Sequence, residues 1–313
     1  MKVQRLPSTG ETLLGTGYRV DYGGKGSNQA VGCARLGANV SFIAKIGKDS
    51  FGDMALGLYR QEGVDSACVQ RTTEAPSGVG FITVEAATGQ NCIVLDPGAN
   101  EHLSAVDVEN FPNAFTSAAV VLTQLEIPVP AAEAALSLGR TRGAVTILNP
   151  APVRPLPLSI LQLVDVLTPN ETEARILAGL PPEQTVEPMD IARKLIREGV
   201  RQVVVTLGEK GALIVSASSS THIPAVAVPA VDTTGAGDAF NAGLAVALAS
   251  GADMESAVRF AVITGGLAVT KEGVVPSLPT TEGVVQFMVQ QGQQPPVWFH
   301  NSVATVEDPG CRN

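Results

Sequence analysis

The feature that most restricts the fold is an alternation repeated along the chain. Short apolar runs, rich in β-branched residues, are spaced so that a helix fits between them. Runs at 40–46 (VSFIAKI), 119–125 (AVVLTQL), 144–148 (AVTIL), 164–167 (VDVL) and 203–207 (VVVTL) read as strands. The segments 131–138 and 191–198 carry helical patterning. Apolar strands alternating with helices predict an α/β fold with a doubly wound, mostly parallel sheet and helices on both faces. A chain of 313 residues is long enough for one such domain with a small appendage.

Two regions break the alternation. Residues 11–22 (ETLLGTGYRVDY) are Gly-rich and alternate loosely, and residues 78–95 read as two strands around a turn at Thr88-Gly89-Gln90. Together, over about 1–22 and 76–98, they suggest a small β-sheet lid over a cleft in a domain spanning 1–289. From Gln290 onward the chain is polar with paired prolines, and 290–313 reads as a flexible tail.

Composition excludes several function classes. The net charge is -9 and no Lys/Arg cluster stands beside aromatic residues, which argues against a nucleic-acid partner. The four cysteines and three histidines fall in no metal-ligand spacing. The N-terminus has no apolar core and no run approaches the ~20 residues that span a bilayer, so neither a signal peptide nor a membrane span is expected. The cytoplasm is the expected compartment, with the nucleus open in a eukaryotic source.

Four strings carry chemistry. The strongest is Asp232-Thr233-Thr234-Gly235-Ala236-Gly237-Asp238, followed by the small-residue helix AFNAGLAVALA. A glycine-rich turn that opens a helix leaves backbone N–H groups unpaired and aimed outward, and these suit an anion. Asp238 alone could be a helix cap. Its coincidence with an anion cradle favours phosphoryl transfer to an alcohol, which needs both a base and donors for the developing charge.

The second string, Gly23-Gly24-Lys25-Gly26-Ser27-Asn28-Gln29-Ala30, leads into VGCARLG. Its spacing is not that of a Walker A loop. It is either a capping turn or a site where Lys25 and Asn28 meet hydroxyl groups. In the third, Thr168-Pro169-Asn170-Glu171-Thr172-Glu173, the pair Asn170/Glu173 is either a capping box or a holder of metal-bound waters beside phosphates. The fourth, Val205-Thr206-Leu207-Gly208-Glu209-Lys210-Gly211, closes a buried strand at the sheet end where α/β proteins bind ligands.

In this order the four strings resemble the ribokinase-like carbohydrate kinases. GGKGSNQA resembles the N-terminal signature of that family and DTTGAGDAF its C-terminal one. Gly98-Ala99-Asn100, Gln124-Leu125-Glu126 and Asn149-Pro150-Ala151-Pro152 add further matches, and the similarity runs from about Pro7 to Pro279. QLE, NPAP and PNETE together are most like the members that phosphorylate D-ribose, rather than fructose or adenosine.

The resemblance implies that Asp238 is the general base, with Gly235, Ala236 and Gly237 as the anion hole. Gly24, Lys25, Gly26, Asn28 and Glu126, with Asp238, would bind the sugar. Asn170 and Glu173 would position Mg2+-ATP, and Thr206, Leu207, Gly208, Glu209, Lys210, Gly211 and Gly237 would line the nucleotide site. K+ would sit among Asp232, Thr234, Ala268, Lys271, Gly273 and Ser277. A homodimer packed through the β lids is also implied. Family members carry an additional N-terminal strand with a G-S-x-x-x-D string, and Met1-Lys2-Val3 aligns after it. The resemblance therefore implies a main sheet short of one central strand and a site short of one sugar-binding Asp.

Overall fold

The computed structural model describes residues 1–181, 184 and 186–300. Its strands are β1 (Lys2–Val3), β2 (Ala44–Gly47), β3 (Val69–Thr72), β4 (Val79–Glu85), β5 (Asn91–Asp96), β6 (Val120–Thr123), β7 (Val145–Leu148), β8 (Val166–Leu167), β9 (Gln202–Thr206), β10 (Ala212–Ser216) and β11 (Ser220–Ile223). The helices are α1 (Lys25–Arg35), α2 (Ser50–Gln61), α3 (Ala105–Glu109), α4 (Val129–Thr141), α5 (Leu158–Leu161), α6 (Glu171–Leu177), α7 (Pro188–Arg197), α8 (Ala236–Ala249), α9 (Met254–Ala268), α10 (Val274–Ser277), α11 (Thr281–Gln290) and α12 (Val297–His300).

The main sheet has the order β11-β10-β9-β8-β7-β6. β6 through β9 are parallel, and β10 and β11 add two antiparallel strands at one edge. Successive residues of the inner strands enter opposite cores, which is why these strands are apolar throughout. Ile147, Val166 and Val204 pack with α8 and α9 residues such as Phe240, Leu244 and Phe260. Leu148, Leu167, Val203 and Val205 pack with Leu136, Ile160, Ile191 and Leu195 on the other face. The expected α/β fold with helices on both faces is the one observed.

At the other edge the sheet is interrupted. β2 and β3 form a separate parallel pair, with no ladder to β6. Val120, Val121 and Leu122 of β6 are only half-buried, whereas Ile147, Leu148 and Val203 are fully buried. β6 and β2 both line a cavity of about 2130 Å3 that continues into the cleft holding Lys25, Asn28, Glu126 and Asp238.

The third sheet, β1-β4-β5, comes from the two regions read as a lid. Thr16 and Lys2 exchange a pair of 2.8 Å backbone bonds, and residues 11–22 otherwise add no strand. β4 and β5 form a hairpin around Thr88 and Gly89, the latter at φ 73°. Within the segment expected as a tail, α12 buries Phe299 against Phe260, with ring centroids 4.7 Å apart. Residues 301–313 lie outside the described residues.

Candidate active site

The site is assembled where α1 and α8 cross. Small residues let the two helices approach closely: a Cβ placed on Gly32 would lie 2.8 Å from the Ala242 Cβ. That approach carries the first turn of α1 to the first turn of α8. Asn28 Nδ2 donates to Asp238 Oδ2 at 2.8 Å, and Gln29 Nε2 donates to Asp238 Oδ1 at 2.9 Å. Asp238 is 5% exposed, so its carboxylate is held between two amide donors at the end of the cleft. Its side chain does not cap its own helix; the N-cap of α8 is Gly235, which makes no side-chain bond.

Gly235 has φ 82°, a left-handed conformation that favours glycine. It lies tight against the neighbouring turn, since a Cβ there would come within 2.7 Å of Val274 Cγ1. The first turn of α8 thus presents the positive end of the helix dipole just ahead of Asp238, with the Ala236 N–H in a long 3.3 Å bond to the Thr233 carbonyl. The loop before it is braced by Asp232, whose Oδ1 accepts the Thr234 N–H at 2.9 Å and Oδ2 the Gly273 N–H at 3.0 Å. Burial opposes ionisation of Asp232, but these donors outweigh it and hold its carboxyl below the ordinary range. Ala268 and Ser277 are buried on the same 268–277 segment, with Ser277 Oγ donating to the Val274 carbonyl, and Lys271 is exposed.

α1 begins at Lys25 with no side-chain cap of its own, and Gly24 before it has φ 90°. Glu126, just beyond β6, accepts the Lys25 backbone N–H at 2.6 Å and so serves as the acceptor for that helix end. Burial pushes the Glu126 carboxyl up; the Lys25 contacts offset this in part, and the nearby Asp238 adds to it. Asn28 Oδ1 is buried and has no hydrogen-bond partner. An acceptor orphaned at the end of a cleft suits a hydroxyl donor from a ligand. Gly26 keeps the wall thin, because a Cβ there would lie 3.1 Å from Gln124 Oε1.

The nucleotide-side strings take positions beyond the ends of β8 and β9. Asn170 and Glu173 form a reciprocal capping box at the start of α6: Glu173 N–H donates to Asn170 Oδ1 at 2.8 Å and Asn170 N–H to Glu173 Oε2 at 2.9 Å. The capping alternative is therefore realised. Glu173 nonetheless senses the cleft: burial raises its pKa, and Lys25 and Asp238 both act on it electrostatically. The Thr206 N–H donates to the Pro169 carbonyl at 2.9 Å, tying this loop to the next. After Thr206 and Leu207, residues Gly208, Glu209 and Lys210 make one 3-10 turn ending at Gly211, φ 96°. A Cβ on Gly211 would fall 2.0 Å from the Ile223 carbonyl oxygen, so this turn requires glycine. These loops do not line the large cavity, whereas Gly24, Lys25, Gly26, Asn28, Glu126, Asp232, Thr234, Gly235, Asp238 and Gly273 do.

Sequence reasoning assigned no role to Gln29, Gln124, Asn149, Thr168 or Asn241, all buried polar residues around Asp238. Polar residues at the C-terminal ends of apolar strands, as in TQLE, LNPA and LTPN, were the available signal.

The comparisons decide the family. Residues 1–281 match the pfkB family of carbohydrate kinases. The chain belongs to that family. It is 39% identical over 288 residues to a ribokinase of Haemophilus influenzae, covering 92% of this chain and 94% of the relative. Among solved structures, Thermotoga maritima ribokinase matches with a TM-score of 0.84 at 35% identity, covering 92% and 94% of the two chains. Arabidopsis thaliana ribokinase, solved with ribose and ATP, matches with a TM-score of 0.82 at 32% identity over 92% and 94%. Among the described residues no helix is long and apolar enough to cross a membrane.

Proposed function

We propose that this pfkB-family kinase transfers the γ-phosphoryl group of ATP to the 5-hydroxyl of D-ribose, giving ADP and D-ribose 5-phosphate. The observation that carries the reading is the Asp238 carboxylate, fixed at the base of the cleft three residues after the left-handed Gly235 turn. Asp238 accepts the hydroxyl proton as the sugar oxygen bonds to the γ-phosphorus. The bond from that phosphorus to the bridging oxygen breaks, and its electron pair leaves with ADP. The N–H groups of Gly235, Ala236 and Gly237 offset the charge on the transferring group.

Gly24, Lys25, Gly26, Asn28 and Glu126 hold the sugar hydroxyls, with Asn28 Oδ1 free to accept one. Asn170 and Glu173 face the phosphates, and the 206–211 turn lies against the nucleotide. Among the described residues no group of three or more His, Cys, Asp or Glu forms a metal cage. Mg2+ would bind mainly through phosphates and waters, and Asn170 and Glu173 would hold those waters. When bound, it neutralises phosphate charge. K+ would sit between the 232–234 and 268–277 segments, held by oxygens of Asp232, Thr234, Ala268, Lys271, Gly273 and Ser277. The Asp232 bridge between the two segments supports this assignment.

Two lids packed together would cover the large apolar side chains of β4 and β5, because Phe81, Ile93, Val94 and Leu95 are 66%, 51%, 60% and 58% exposed. That exposure supports a homodimer. A cytoplasmic setting is consistent with ATP as the phosphoryl donor.

The test is Asp238→Asn, assayed by ADP release with ribose, 2-deoxyribose, fructose and adenosine. Loss of the general base lowers kcat by about 10²–10⁴-fold with the true substrate. Near-normal turnover in the variant refutes the mechanism, and a faster rate with another sugar in the parent reassigns the substrate.

A further inference from the structure

The buried polar groups around Asp238 form two runs of hydrogen bonds joined at Thr168. Gln124 Nε2 donates to Gln29 Oε1 at 2.6 Å, and Gln29 Nε2 donates both to Asp238 Oδ1 at 2.9 Å and to Asn149 Oδ1 at 3.0 Å. Asn149 Nδ2 then donates to the Thr168 carbonyl at 3.1 Å. The Thr168 hydroxyl donates to Asn241 Oδ1 at 2.6 Å, and Asn241 Nδ2 donates to the Gly237 carbonyl at 2.8 Å. The path leaves Asp238, passes the ends of β7 and β8, and returns to α8 one residue before it began.

Its direction is fixed from both ends. An ionised carboxylate only accepts, so the Gln29 amide must turn its nitrogen toward Asp238 and its oxygen toward Gln124. Asn149 must then offer its oxygen to Gln29 and its nitrogen to the Thr168 carbonyl, while the Gly237 carbonyl, which also only accepts, turns the Asn241 nitrogen toward itself and the Asn241 oxygen toward the Thr168 hydroxyl. Gln29 is the branch point, with both amide hydrogens and its oxygen engaged, and it is 1% exposed. Asn28, the other donor to the carboxylate, has an oxygen without a partner and is suited to a substrate. Gln29 is fully engaged and has no group left for a substrate.

We propose that Gln29 is a positioning residue for phosphoryl transfer. It locks the Asp238 carboxylate in one orientation and, through Asn149, Thr168 and Asn241, ties that orientation to the Gly237 peptide beside the anion hole. The inference rests on Asp238 being the base. A carboxylate free to pivot loses the aligned geometry that speeds proton removal, while leaving the sugar contacts in place.

The test compares Gln29→Met, Gln29→Glu and Asp238→Asn with the parent, counting competent sites by calorimetric ribose binding. In Gln29→Met, kcat per competent site falls about 10- to 100-fold, while ribose Kd and both KM values change less than about threefold. Gln29→Glu keeps the length and can still accept from Gln124, but at neutral pH it sets a second carboxylate against Asp238. Its rate relative to the parent is lower still, and recovers as pH falls from about 8 to about 6 and the new carboxyl regains a proton. The inference is overturned if Gln29→Met keeps parental kcat per site, or if Gln29→Glu follows the parental pH profile. If both occur while Asp238→Asn is inactive, positioning fails and the kinase mechanism stands. If Asp238→Asn is active, the premise falls and the inference with it.

Discussion

Gly32→Ala is a one-methyl change whose effect on activity follows from helix packing. The new Cβ would start 2.8 Å from the Ala242 Cβ. Carbon atoms rest at about 3.5–4.0 Å, so α1 and α8 must part by roughly 0.8 Å. The Asn28 and Gln29 bonds to Asp238, 2.8 and 2.9 Å long, span that same crossing. Stretched by a comparable amount they pass about 3.5 Å, beyond which a side-chain hydrogen bond is lost. Overpacking of this kind costs about 1–3 kcal/mol of stability, and the misplaced base lowers kcat by at least about tenfold. Urea unfolding measures the first and coupled ADP release the second. Ala242→Gly relieves the contact, so in Gly32→Ala/Ala242→Gly part of both losses returns, with a coupling of about 1 kcal/mol or more in a double-mutant cycle. A Gly32→Ala enzyme with parental kcat, or a cycle with no coupling, refutes the link between this contact and the base.

Three further outcomes follow from local geometry. Leu148→Ala should destabilise by about 2–5 kcal/mol because Leu148 is fully buried, whereas Leu122→Ala on the open edge of β6 should cost only about 1 kcal/mol; chemical denaturation ranks the two. Burial opposes ionisation of Asp107, but the Lys45 ammonium at 2.6 Å and Ser104 outweigh it and lower the carboxyl from 3.8 to about 2. Its stabilising contribution is complete above 3.8 and disappears as pH falls through about 2, so Asp107→Asn should flatten the acid side of the stability–pH curve. Gly211→Ala places a methyl against the Ile223 carbonyl in a left-handed turn, and should raise KM for ATP several-fold with KM for ribose unchanged.

What the sequence made legible depended on whether a signal was local. The run VVVTL opens with three β-branched apolar residues, and Val203, Val204 and Val205 become the buried core of β9. The turn before α8 was legible because glycines and a following carboxylate stand together in seven residues. Asn170 and Glu173 are three apart and meet each other, the arrangement that spacing alone allows. The network around Gln29 was not legible in the same way. Its partners lie 95, 120 and 209 residues away, and nothing near Gln29 marks it as buried. The Gly32–Ala242 contact was hidden for the same reason. The partners are 210 residues apart, and neither local string says that this pair would touch or that the contact sets the geometry of the base.

Glu126 shows how a site charge can weaken the fold that carries it. Burial is the main cause of its raised pKa, the Lys25 contacts lower it in part, and Asp238 raises it further. A carboxyl whose pKa is higher folded than unfolded binds its proton more tightly in the native state. Stability therefore falls as pH rises from the ordinary value of 4.5 through the folded value, and at neutral pH the ionised group works against folding. Glu126→Gln removes that charge while its amide oxygen can still accept the Lys25 N–H. The variant should gain thermal stability relative to the parent at pH 7, with the gain vanishing near pH 4. Ribose should bind it more weakly, since a charged acceptor for a hydroxyl has become a neutral one. Melting curves at the two pH values and calorimetric titration with ribose measure the two effects separately. A variant less stable than the parent at pH 7, with its deficit absent at pH 4, would reverse the sign and show that ionised Glu126 supports the native state.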